Sequence, residues 1–279
     1  MEVDLNKYHS ILLKTMKVFH SFCEENSLTY SISGGTMLGA VRHGGFIPWD
    51  DDIDVMMPRP DYNRFLEITA KTFVNGYTVI SQYNASNYRM PFAKIMDLNS
   101  TVIPMKENKD CPYGAFIDIF PIDGITEKEF FSKKNVKKYY RTMAYALSLH
   151  SDSHYNNLQS IIIHLIARLS FKNSQQFLIE CDSIAQKYGY DTSPYLGQYF
   201  SVYSLYKEMY PRDVFDETEI IDFEGIKVRC IKQRDKYLTI MYGDYMTLPP
   251  IEKRITHHSY YFIDLNRKVS KDEIKEMRL

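Results

Sequence analysis

The sequence predicts an α+β fold with an additional helical lobe, and three observations carry that expectation. An amphipathic stretch opens the chain, short strand candidates interspersed with helices follow up to about residue 125, and from about 126 to 189 the pattern turns helical.

Between residues 4 and 25 apolar side chains recur at Leu5, Tyr8, Leu12, Met16, Phe19 and Phe22, the spacing of one helix face, and Asn26 with Ser27 ends it. Residues 28–33 (LTYSIS) read as a short strand running into Gly34 and Gly35, and a helix is expected from Thr36 to about Arg42. A further strand is expected over 52–57, stopped by Pro58 and Pro60, with Asp61 capping a helix to about residue 72. Strands are also expected over 77–82, 92–97 and 116–120. In the helical middle, Lys133, Lys134, Lys137 and Lys138 read as solvated faces. Two strands flanking Glu224 and Gly225 read as a hairpin, with a helix over 232–242 and a turn-rich segment, YGDYMTLPP, after it. The expected organisation is a core over 1–125, a helical lobe over 126–210, and a segment over 211–279 that completes the core.

The chain has 279 residues, 44% of them hydrophobic, enough for a substantial core. Its 34 basic and 35 acidic residues leave a formal charge of -1, so no global field favours nucleic acid as a partner. Cys23, Cys111, Cys181 and Cys230 are far apart and form no CxxC pair, which suits a reducing cytoplasm. The opening MEVDLNKYHS has an early acid and no apolar run, so no secretory signal is expected. The longest apolar run, SIIIHLIARL over 160–169, is far short of the ~20 residues a membrane span needs and reads as a buried helix.

The densest chemistry lies at Asp50, Asp51, Asp52 and Asp54. In extended backbone Asp50, Asp52 and Asp54 share one face, while Asp51, Ile53 and Val55 take the other. An isolated DxD is more often a solvated loop, but FIPW before these acids and VMMP after them embed the group in apolar sequence. Like charges so placed repel unless a cation sits among them, and hard oxygen ligands suit Mg²⁺ or Mn²⁺. An EF-hand does not fit, because Val55 stands at the sixth loop position and Asp61 at the twelfth. The glycine pair lets backbone N–H groups and a helix N-terminus approach a phosphate, and Arg42 and His43 could add positive charge to the same anion.

The stretch GGTMLGAVRHGGFIPWDDDIDVMMPRPDY, residues 34–62, resembles the signature of the LicD family of phosphocholine transferases within the nucleotidyltransferase superfamily. FAKIMD (92–97), GAFIDIFPIDG (114–124) and YGDYMTLPP, with Arg254 and His257 behind it, are similar to that family as well. Residues 126–210 carry no matching motif. The resemblance implies a nucleotidyltransferase-like mixed β-sheet core with flanking helices. It implies that Gly34, Gly35 and Thr36 contact a nucleotide's phosphates and that Asp52 and Asp54 bind Mg²⁺ or Mn²⁺. It places Asp118 as the third carboxylate that binds the metal with them, and Lys94 where a phosphate-contacting lysine would stand. Asp50 and Asp51 orient ligands or hold the turn, Trp49 packs the loop, and Arg254, His257 and His258 could reach the site from the C-terminal segment.

The expected activity is transfer of phosphocholine, or a related substituted phosphoryl group, from a CDP-linked donor to a hydroxyl of a cell-surface glycan or lipid-linked precursor, releasing CMP. The expected setting is the cytoplasm or the inner face of the membrane, with peripheral association. Two other readings stay open at this point: a metal-dependent glycosyltransferase using a nucleotide sugar, and a noncatalytic glycan-binding module of the same fold.

Overall fold

The computed structural model describes residues 4–105, 113–150, 157–200, 207–256 and 258–277. Helix α1 (Leu5–Glu25) starts at Asp4, whose carboxylate accepts from Lys7 N–H, and buries Tyr8, Leu12, Met16 and Phe19. Strand β1 (Ser31–Ile32) is followed by α2 (Gly34–His43), β2 (Asp54–Pro58) and α3 (Arg59–Thr69). Next come β3 (Tyr77–Ile80), β4 (Ala93–Asp97), β5 (Thr101–Pro104) and the long β6 (Phe116–Ile125). The helical stretch holds α4 (Glu127–Ser132), α5 (Lys134–Ser148), α6 (Leu158–Leu169) and α7 (Ser174–Ala185). Strands β7 (Tyr195–Gly197) and β8 (Met209–Pro211) lead to the hairpin of β9 (Thr218–Phe223) and β10 (Ile226–Ile231). Helix α8 (Arg234–Tyr242), β11 (Tyr260–Asp264) and α9 (Lys271–Glu276) close the order.

The protein is therefore a mixed α+β fold. Its main sheet runs β1-β2-β6-β4-β3, with β7 on the far end of β6 and β8 beside β7. Among the described residues of this sheet β2 and β6 pair parallel and the other pairs are antiparallel. β6 runs to Ile125 rather than Phe120 because it changes partners: its first half pairs with β2 and β4, and residues 123–125 pair with β7. One sheet face buries Val55, Ile95, Ile117 and Ile119, and α1 packs on β4 and β6. A separate apolar cluster built on Val136, Tyr139, Leu178 and Cys181 holds the helical stretch together. The buried Arg59 guanidinium, paired with Asp123 at 2.6 Å and Asp182 at 2.8 Å, ties α3 to β6 and α7.

Several expected boundaries shift for identifiable reasons. The glycine pair forms the first turn of α2 rather than a loop before it, with Gly34 at φ +52°, a conformation that favours glycine. Helix α3 begins directly after Pro58, and Pro60 sits in its first turn, where the missing N–H costs nothing, so Asp61 lies inside that turn instead of capping it. The run expected to be a buried helix is α6, but its apolar face points outward: Ala167 is its buried residue, while Ile161, Ile162, Leu165 and Ile166 are exposed. No helix among the described residues is long and apolar enough to cross a membrane. Cys23, Cys181 and Cys230 are buried free thiols; Cys111 and His257 lie outside the described residues.

Candidate active site

The alternation of the acidic stretch holds even before β2 begins. Asp51, Ile53 and Val55 are buried, whereas Asp52 and Asp54 are half-buried and open to a common space. Asp54 opens β2, and its register partner on the parallel strand β6 is Asp118. Asp118 is in turn the register partner of Lys94 on β4. Residues directly opposite in adjacent strands share a sheet face, so Asp54, Asp118 and Lys94 form one row across three strands. Lys94 is 2% exposed, its Nζ lies 2.6 Å from Asp118 Oδ1 and 3.7 Å from the Phe116 ring centre. It is thus a buried cation of the site rather than a surface lysine.

The glycine turn borders the same carboxylates. A Cβ built on Gly35 would stand 2.8 Å from Asp50 Oδ2, and one on Gly34 would stand 3.5 Å from Asp54 Oδ2. Thr36 Oγ1 accepts from Asp54 N–H at 2.8 Å, and Ser33 N–H donates to Asp54 O at 3.0 Å, which fastens the start of α2 to the start of β2. Gly34 N–H donates to Tyr237 OH on α8 at 3.3 Å. Arg42 and His43 stand at the other end of α2, about 12 Å along its axis from Gly34. There Arg42 Nη1 donates to Tyr245 O at 2.8 Å, His43 lies edge-on to Trp49, and the Arg254 guanidinium sits 5.7 Å from the Trp49 ring centre. Gly34, Gly35, Asp52, Asp54, Lys94 and Asp118 are therefore brought together, and Arg42 and His43 are set apart from them with Trp49 and Arg254.

Asp51 faces away from this row and is held by residues some two hundred positions later. Its Oδ1 accepts from His258 Nδ1 at 2.7 Å and its Oδ2 from Tyr260 OH at 2.6 Å. His258 Nε2 then lies 3.7 Å from Asp52 Oδ2. The sequence offered Asp51 as a group that orients ligands or holds the turn and His258 as one able to reach the site, but not their pairing; Tyr260 was missed, because β11, which presents it, pairs with β5, another strand not foreseen.

Electrostatically the site is loaded. Burial, then Asp52 and Asp51, push the Asp50 carboxyl up to about 8. Burial raises Asp52 to about 6 against the opposing pull of His258, and burial with Asp52, Asp118 and Asp50 raises Asp54 well above the usual carboxylate range. The hydrogen bond to Asp51 lifts His258 to about 9. Among the described residues no three His, Cys, Asp or Glu side chains form a ready-made metal cage. The donor set nevertheless fits Mg²⁺, which is commonly held by one or two carboxylates with phosphate oxygens and water completing the octahedron. Asp52 and Asp54 are hard oxygen donors whose mutual repulsion a cation would relieve.

The family model described as LicD/FKTN/FKRP, nucleotidyltransferase domain, matches residues 27–149, a span that contains every one of these strand and glycine-turn groups. The lipopolysaccharide cholinephosphotransferase LicD of Haemophilus influenzae is 30% identical over 262 residues, 92% of this chain and 97% of its own. The chain belongs to the LicD family. Uncharacterized proteins of Rickettsia typhi and Rickettsia prowazekii are similar over shorter spans, at 30% identity over 130 residues (45% of this chain, 38% of the relative) and 41% over 68 residues (24% and 26%). The LicD match to the Haemophilus protein covers nearly its full length, so it takes in the helical stretch and the C-terminal segment as well as the motif region.

Proposed function

We propose that this LicD-family protein transfers phosphocholine, or a closely related substituted phosphoryl group, from a CDP-linked donor to a hydroxyl of a cell-surface glycan such as lipopolysaccharide, with release of CMP. The single observation that carries the reading is the row of Asp54, Asp118 and Lys94 across three strands, in a chain similar over nearly its whole length to a cholinephosphotransferase. In this reading residues 1–125 and 211–279 form a nucleotidyltransferase-like catalytic unit, and 126–210 an attached lobe.

Asp52 and Asp54 would hold Mg²⁺ or Mn²⁺, which when bound neutralises the donor diphosphate and stabilises charge on the leaving oxygen. The acceptor hydroxyl attacks the phosphorus that carries choline, the bond from that phosphorus to the bridging oxygen breaks, and CMP leaves with the electron pair. Asp118, 17% exposed and reachable, takes the hydroxyl proton. Lys94 supplies a fixed positive charge beside the transferred group's oxygens, in a pocket where burial strengthens its field. The first turn of α2 offers backbone N–H groups to a phosphate. Arg42 and Arg254 beside Trp49 suit the nucleotide or an anionic acceptor, because two guanidinium groups would repel choline.

The glycosyltransferase reading is disfavoured by the similarity of this chain, over nearly its whole length, to a cholinephosphotransferase. Incubation with CDP-choline, Mg²⁺ and purified lipopolysaccharide, followed by chromatography of the nucleotide products, tests the proposal. CMP formation that stops on chelation is expected; CDP or UDP formed from a nucleotide sugar, with CDP-choline untouched, would overturn it.

A further inference from the structure

Helix α6 is well terminated and, among the described residues, still leaves its apolar side exposed. Asn157 caps it in a reciprocal box with Ser160, and its inner side rests on α5, where His164 Nδ1 lies 2.9 Å from Ser148 O. The outer side carries Leu158, Ile161, Ile162, Leu165, Ile166 and Leu169, an unbroken stripe at helical spacing. Leu158 is 73% exposed and Leu169 74%, and Phe171, just past the helix, is 95% exposed. Single exposed apolar residues are ordinary, but a contiguous stripe of this length marks a surface that meets something apolar.

Charge decides what that is. Residues 130–172 contain seven lysines and arginines and a single acid, Asp152, in a chain whose overall charge is -1. Lys134, Lys137, Lys138 and Arg141 are exposed on the adjoining α5, and Arg168 on α6 itself, while Lys172 is offset by Glu180 at 2.7 Å. A two-fold dimer through α6 would place this basic surrounding opposite a copy of itself. An anionic bilayer complements both features, because the apolar side chains sink below the headgroups while the cations stay among them. At twelve residues, about 18 Å, α6 is too short to span and long enough to lie in the interface plane.

We propose that the outer face of α6, with the basic face of α5, seats the protein on an anionic lipid bilayer. This holds whether or not the proposed reaction is correct. Helix α6 packs on α5, and none of the carboxylate row lies on either helix, so substitutions on the outer face of α6 leave that row untouched.

Flotation with vesicles of phosphatidylcholine, with and without phosphatidylglycerol, tests the proposal on the full chain. The protein should float with phosphatidylglycerol vesicles and lose that binding at high salt. The double variant Ile162→Glu/Leu165→Glu should bind at least about tenfold more weakly with an unchanged thermal transition. Lys137→Glu/Lys138→Glu, which disturbs no packing, should weaken binding too and carries the test if the first variant misfolds. Failure of the wild type to float at any composition, or variants that float like the wild type, would overturn the proposal. So would a wild-type dimer that the α6 variant dissociates in the absence of any vesicle binding, which would assign the face to a second copy of the chain.

Discussion

Asp54 and Asp118 are register partners on the parallel strands β2 and β6, 64 residues apart in sequence and side by side on one face. Two carboxylates so placed are costly on their own, and the cost is offset locally by Lys94, while His258 stands beside the neighbouring Asp52. Asp54→Asn and Asp118→Asn should each fold and lose activity by roughly a hundredfold or more. They should differ in kind: Asp54→Asn lowers donor and metal affinity, whereas Asp118→Asn lowers the turnover rate at saturating donor. Steady-state kinetics with calorimetric donor titration separates the two; near wild-type turnover in either variant removes that residue from the site.

The glycine pair should respond asymmetrically. Gly34 is left-handed with room around it, so Gly34→Ala is expected to cost stability, about 1 kcal/mol in denaturant unfolding. At Gly35 the new methyl group would meet the tip of Asp50 at 2.8 Å, so Gly35→Ala should leave the fold intact and displace that carboxylate, reducing activity. Equal stability losses at the two positions would contradict this.

Without metal, stability should fall as pH rises. Asp50 and Asp52 are raised to about 8 and 6 from 3.8, so the folded form keeps protons that the unfolded chain has released. The resulting destabilisation begins above the unfolded value and is complete above the folded one. His258 acts in the same direction: raised to about 9 from 6.5, its stabilisation is full below 6.5 and is lost as pH passes 9. Mg²⁺ competes with those protons, so its thermal shift should be larger near pH 8.5 than near pH 6. Differential scanning at both values checks the sign, and an equal or reversed shift would contradict it.

In the proposed reading Asp51, clamped by His258 and Tyr260, positions Asp52 through the backbone between them. Asp51→Asn and Tyr260→Phe should weaken Mn²⁺ binding by about tenfold, with KM for the donor rising alongside. A drop in thermal stability with unchanged Mn²⁺ affinity would reduce the clamp to a structural contact.

Much of this site was legible because alternation is a backbone property. Asp51 inward and Asp52 and Asp54 outward follow from extended geometry, whether or not strand hydrogen bonds have begun. The first turn of α2 was misread because only Gly34's positive φ lets a helix begin there. The pairing of Asp54 with Asp118 and Lys94, and of Asp51 with His258 and Tyr260, depends on strand order, which local patterns do not encode. The same limit applies to α6: an apolar helical run looks alike whether it faces a core or the outside. Arg42 and His43 looked close to the glycine turn in sequence, and the rise of α2 carries them to its far end.

In the proposed reaction the phosphorus travels with the head group. CDP-choline labelled with ³²P in the phosphate next to choline, incubated with Mg²⁺ and lipopolysaccharide, measures this directly. The label is expected in the acceptor, joined through a phosphodiester, with unlabelled CMP in solution. Label that stays wholly in the nucleotide while the acceptor becomes modified would contradict it.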